Sequence, residues 1–236
     1  MNRFYNLVIL LFKDYYRRTY LWAPLLISAA FLWLIFNYNY APYQYNYFLL
    51  FKSVFLILIA YSVTLHLNHN NYTRKSIIIL SKVKASILYY AIAVVSFLIT
   101  IFFSFLLDFY FLIIPDMGLS FFQIFNVQNG FVFLLIVLLS VSVTHLFAHF
   151  SVRKEYMPFG FLLLGFGAIP GWYENLFFPG IFKFINFVLP PISQNVLNLY
   201  QFDFSFKLTL YSILYLVIIN IYAGYRIDRR SFSNIS

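Results

Sequence analysis

The amino-acid sequence predicts an all-α polytopic membrane protein with six transmembrane helices, and three observations predict it. Sixty-three per cent of its 236 residues are hydrophobic and only 10% are charged, less than half the ~25% charged share of an ordinary soluble domain. Most of the 16 Lys and Arg fall in four clusters: Arg3 to Arg18, Arg74 to Lys84, Arg153 with Lys154, and Arg226 to Arg230. The apolar stretches between clusters can each hold one crossing helix or a pair, at about 20 residues per crossing. Cations beside spans stay on the cytoplasmic side. If all four clusters are cytoplasmic, each gap holds an even number of crossings and both termini lie inside. The expected organisation is one membrane domain over 1–236: an interfacial elbow helix at 1–19, a six-span bundle at 20–225 and a cytoplasmic tail at 226–236.

Residues 2–18 read as an amphipathic helix. At about 100° per residue, Asn2, Arg3, Asn6, Lys13, Asp14, Arg17 and Arg18 fall within an arc of roughly 160°. Phe4, Tyr5, Val8, Ile9, Leu11, Phe12, Tyr15 and Tyr16 fill the opposite arc, and only Leu7 and Leu10 break the split. A helix of this kind lies in the membrane plane, with Arg3, Lys13, Arg17 and Arg18 toward water. It is not a secretory signal, because Lys13 and Asp14 interrupt the apolar run and no small-residue cleavage site follows.

The first span reads Tyr20 to Phe36, with Pro24 tolerated in its first turn. The link to Asn46 carries no charge, as an outside loop should, and its tyrosines suit the headgroup belt. The second span reads Tyr47 to Leu67, the third Ile87 to Leu107 and the fourth Asn129 to Phe150. His66 to Ser86 is an inside loop, whereas Asp108 to Gln128 is an outside loop with only acidic charges. Lys52, near the outer end of the second span, can snorkel to the interface, and Asp108 sits at the outer end of the third. A fifth span from Met157 to Trp172 is short, about 24 Å at 1.5 Å per residue. The apolar segment Leu176 to Leu199 is too broken by Pro179, Gly180, Pro190 and Pro191 to be a clean span, and Asn175 to Ser205 reads as a region dipping in from the outside face. Broken apolar segments occur where backbone is buried in protein or lines a cavity, so re-entrant helices are expected here, between spans five and six. The sixth span reads Phe206 to Tyr225.

Missing motifs bound the chemistry. There is no phosphate-binding glycine loop, no nucleophile elbow and no zinc-protease helix, so the chain is not expected to be an enzyme or to hydrolyse ATP. The absence of Cys removes disulfides and thiolate metal sites. A net charge of +9 is explained by span ends, without nucleic acid. The excess of Phe, Tyr, Ile and Asn, whose codons are AT-rich, points to a bacterium of low GC content. The four histidines, His66 with His69 and His145 with His149, lie on helix faces at one depth and are weak candidates for a metal or haem site. At helix C-termini they are better read as partners of the last carbonyls, and no metal is expected.

The inside loop is the stronger functional candidate. It runs Thr73-Arg74-Lys75-Ser76-Ile77-Ile78-Ile79-Leu80-Ser81-Lys82-Val83-Lys84, an apolar run flanked by cations that needs a surface to bury against. With the amphipathic start, the six spans and the Pro-rich phrase Phe184 to Gln194, this loop resembles the type-2 ABC transporter permeases. There a cytoplasmic coupling helix joins the second and third spans, with a leu-ser phrase that Leu80 and Ser81 match. Lys82 stands where that family often has proline. The resemblance implies that Thr73, Arg74, Lys75, Ile78, Leu80, Ser81, Lys82 and Lys84 couple to a cytoplasmic ABC ATPase, which carries the ATP and Mg. It also implies a second permease copy or a paralogue as partner, a place in the bacterial cytoplasmic membrane, and export of amphipathic or apolar peptides. The alternatives are a non-transporting immunity or scaffold protein of the membrane, and a His-ligated metal or haem enzyme.

Overall fold

The computed structural model describes residues 3–17, 20–37, 45–69, 84–113, 120–150, 190–201 and 204–233. These residues form eight helices and no strand: α1 (Arg3–Arg17), α2 (Trp22–Asn37), α3 (Tyr45–His69), α4 (Ala85–Ile113), α5 (Phe121–Ile124), α6 (Val127–Phe150), α7 (Ile192–Gln201) and α8 (Phe206–Ser233). Four segments are long and apolar enough to cross a membrane: Phe48–Asn68, Ala85–Leu112, Phe121–Ala148 and Phe206–Ile227. They correspond to the expected second, third, fourth and sixth spans. The expected first span coincides with α2, an apolar helix of 16 residues. The expected fifth span lies outside the described residues.

Helix α3 is the hub, packed against α2, α4, α6 and α7. Its face at four-residue spacing is buried from end to end: Phe48, Lys52, Leu56, Ala60, Thr64 and Asn68. Small hydroxyl residues let the helices approach. Ser96, Thr100 and Ser104 on α4 and Ser140, Ser142 and Thr144 on α6 are all buried, as is common where membrane helices meet. Helices α3 and α6 run from what we term the Tyr45 end to the Ala85 end, and α4 runs back. Helix α8 starts beside Tyr45 and Asn126, with Ser205 and Thr209 lining a cavity they share. It finishes with Ala223 and Ile227 packed on Tyr89. Only 17% of its apolar window is buried, against 50–67% for the other three, so α8 sits at the periphery on α4 and α6.

Three expectations are corrected. The third span does not end at Leu107: α4 continues to Ile113, because Phe109 to Ile113 are still apolar and the Asp108 charge is matched inside the bundle. The expected outer loop is further shortened by α5, which Ser120 and Gln123 start with a reciprocal capping box. Next, Leu7, which breaks the apolar arc of α1, is buried with Leu11 and Tyr15, while Tyr5, Leu10, Phe12 and Tyr16 are exposed. The stripe Leu7-Leu11-Tyr15 faces protein, and α1 packs on α4. Finally, α8 does not end with the expected sixth span at Tyr225 but continues to Ser233.

Candidate functional site

The chemistry concentrates at the two ends of α3. Near the Tyr45 end, Lys52 lies four residues into Phe48–Asn68 and Asp108 four residues before the end of Ala85–Leu112. On antiparallel helices both therefore sit about 6 Å inside their spans at 1.5 Å per residue. They meet: the Lys52 ammonium donates to Asp108 Oδ1 at 2.6 Å and to Oδ2 at 2.7 Å. Both side chains are at most 5% exposed. The ammonium also lies 4.5 Å from the Phe133 ring centroid and 5.8 Å from that of Phe48, close enough for cation–π attraction. Lys52 thus does not snorkel to the interface. An opposite charge at the same depth and a covering of aromatic rings hold it inward. Intramembrane charges are costly and pair where they occur.

Above this pair the Tyr45 hydroxyl donates to the Gln123 carbonyl at 2.6 Å and accepts from Asn129 Nδ2 at 2.6 Å. That ties α3 to α5 and α6. Burial pushes the Tyr45 phenol above its ordinary pKa, and the Asn129 hydrogen bond only partly offsets this. Helix α7 reaches the same end. Pro190 and Pro191 are buried at its head, and the Pro191 carbonyl accepts from Asn195 N at 3.2 Å and Asn195 Nδ2 at 2.5 Å. Asn195 Nδ2 also donates to Ser212 Oγ of α8 at 2.9 Å. At ten residues, α7 spans about 15 Å and does not cross.

At the Ala85 end, His145 is fully buried. Its Nε2 donates to the Tyr89 carbonyl at 2.9 Å, and its Nδ1 accepts from Asn68 Nδ2 at 2.7 Å. The orientation of Asn68 follows from its amide also donating to the Thr64 carbonyl at 2.7 Å. The imidazole stacks on the Tyr89 ring with centroids 3.9 Å apart. Both ring nitrogens are used, so His145 is a structural clamp between α3, α4 and α6 and not a free metal ligand. His66 looks elsewhere: its Nδ1 donates to the Ser62 carbonyl at 2.7 Å, and its ring lies 5.3 Å from that of Tyr20. The two histidines are not brought together, and among the described residues no group of three metal-ligating side chains forms. The side chains of His69 and His149 lie outside the described residues.

Of the elbow cations, Arg3, Lys13 and Arg17 are exposed on α1, and Arg18 lies outside the described residues. So do Thr73, Arg74, Lys75, Ile78, Leu80, Ser81 and Lys82, together with Pro179 and Gly180. Lys84 is exposed directly before α4, and its carbonyl accepts from Ile87 and Leu88 N. Sequence reasoning missed the Lys52–Asp108 pair and the His145 clamp. The signal for the first was the spacing: Ser96, Thr100, Ser104 and Asp108 share one face of α4, as Phe48, Lys52 and Leu56 share one of α3.

Comparison with protein-family models, curated proteins and solved structures finds no match to this chain.

Proposed function

We propose that this chain is the transmembrane permease subunit of an ATP-driven exporter that carries amphipathic or apolar peptides out of a bacterial cell. The observation that supports this reading is the placement of α1 and α7 at opposite ends of the bundle. The amphipathic α1 packs on α4, and Tyr15 at its C-terminal end donates to the Tyr20 carbonyl. The Tyr20 ring in turn contacts His66 at the Ala85 end. The short, proline-started α7 sits at the Tyr45 end immediately before the last span. In this reading α1 is the elbow in the membrane plane on one side and α7 the re-entrant segment on the other. Between α3 and α4 in the sequence stand Arg74, Lys75, Lys82 and their apolar neighbours, on which an ATPase docks. A second copy or a paralogue completes the conduit, with six spans per subunit and both termini in the cytoplasm.

The test is affinity capture of the tagged chain from its native membrane in a mild detergent, followed by mass spectrometry and an ATPase assay. A co-purifying nucleotide-binding subunit that is lost on Arg74→Glu, Lys75→Glu and Lys82→Glu supports the permease. Recovery of the chain without any ATPase overturns it in favour of a non-transporting membrane protein.

A further inference from the structure

Beside the Lys52–Asp108 pair lies a cavity of about 370 Å³. Its floor is Lys52 and Leu56 of α3, its walls are α4 and α6, and Ile124 and Phe125 close it toward the Tyr45 end. The rim residues Phe105, Phe131 and Leu134 are large, apolar and 38–50% exposed. In spans of this hydropathy such a rim faces hydrocarbon, not water. The cavity therefore opens sideways into the bilayer. At ~30 Å³ per water-sized group it has room for about a dozen such groups, enough for one aliphatic chain.

The polar end of an occupant is set by the ion pair. The Lys52 ammonium is covered by Phe133 and Phe48. The Asp108 oxygens accept from Lys52 alone among the described residues, and each oxygen has a second lone pair. Lys52 uses two of its three N–H donors on Asp108, so the pair can both accept and donate one more hydrogen bond, and an occupant group that does both, a hydroxyl, fits it. The pair is already neutral as a unit. An added ammonium or carboxylate would be an uncompensated charge at low dielectric. An uncharged donor adds a hydrogen bond to an ionised acceptor with no net charge.

We propose that this cavity binds a single-chain, uncharged lipid of the surrounding bilayer, its hydroxyl donating to Asp108 and its chain lying between α4 and α6. The proposal does not depend on coupling to an ATPase, and its test needs no partner. Gly130 supplies an independent variant, because a Cβ there meets nothing within 4 Å while Gly130 lines the cavity. Gly130→Leu fills the space and leaves the ion pair in place.

The experiment is photolabelling of the full-length protein in lipid nanodiscs with a diazirine-bearing monoacylglycerol, with adducts mapped by mass spectrometry. Adducts are expected on α4 and α6 around Phe105 and Phe131. Dodecanol should compete about tenfold better than dodecane, the worth of one hydrogen bond to a charged acceptor, and dodecanoate and dodecylammonium should compete no better than dodecane. Gly130→Leu should abolish labelling there. The double variant Lys52→Met/Asp108→Leu, which strands no charge, should keep labelling but lose the preference for dodecanol. Labelling spread evenly over lipid-facing positions such as Phe109 and Ile218, or unchanged by Gly130→Leu, overturns the proposal. So does equal competition by the charged amphiphiles.

Discussion

At the scale of single residues the energetics turn on groups that cannot be removed alone. Lys52→Met leaves an ionised Asp108 in a buried, apolar setting, and Asp108→Leu does the converse to Lys52. Breaking one side of such a pair costs about 3–5 kcal/mol, whereas replacing both by apolar groups is often close to neutral. Thermal unfolding in detergent should show both single variants strongly destabilised and the double variant near the parent. His145→Leu removes the hydrogen bonds that the imidazole makes to Asn68 Nδ2 and the Tyr89 carbonyl, and each loss costs about 0.5–1.5 kcal/mol. Its unfolding midpoint should fall, while chelators leave that of the parent protein unchanged. A chelator-sensitive midpoint would return His145 to the metal ligands. These roles were poorly legible in the sequence. Lys52 and Asp108 are 56 residues apart, and each alone resembles a charge at a membrane interface. Only equal depth on antiparallel helices makes them partners. For the histidines, spacing gave the helix face, but the deciding groups are an amide and a backbone carbonyl on other helices.

At the scale of elements, α1 divides its surface. Arg3, Lys13 and Arg17 are exposed, Leu7, Leu11 and Tyr15 are buried against the bundle, and Tyr5, Phe12 and Tyr16 are exposed. Leu7→Ala should therefore destabilise the protein by about 2–5 kcal/mol, while Leu10→Ala, at an exposed position, should change it little. Equal effects would mean that α1 is not docked on α4. A helical wheel draws one apolar arc here, but a helix that touches both bilayer and bundle divides that arc, and the wheel cannot see the division. The crossing of α4 and α8 is close: a Cβ at Gly224 would sit 2.6 Å from the Tyr90 hydroxyl, which donates to the Asn220 carbonyl at 3.1 Å. Gly224→Ile should cost about 1–3 kcal/mol through overpacking. Tyr90→Ala in the same chain should relieve part of that in a double-mutant cycle of unfolding midpoints.

At the scale of the whole molecule, four membrane-length helices were legible because a run of about 20 apolar residues matches the thickness of the hydrocarbon core. Their ends were less so: Asp108 read as a stop, although its charge is cancelled inside. The chain has no Cys, so single cysteines report orientation without background. Cysteines replacing Lys84 and Arg226 should be modified by an impermeant maleimide from one face of sealed vesicles, and one replacing Phe122 from the other. Labelling of Lys84 and Phe122 positions from the same face would contradict the crossing of α4. The ion pair also bears on how the protein is made. Lys52 is synthesised 56 residues before Asp108, and a lone cation within a span disfavours insertion, by about 2.5–3.5 kcal/mol at the centre of the bilayer and by less at the depth of Lys52. Helix α3 thus acquires its full preference for lipid only when α4 arrives. The two helices are therefore expected to insert as a hairpin, and a chain that ends after α3 should integrate into membranes less well than one that includes α4.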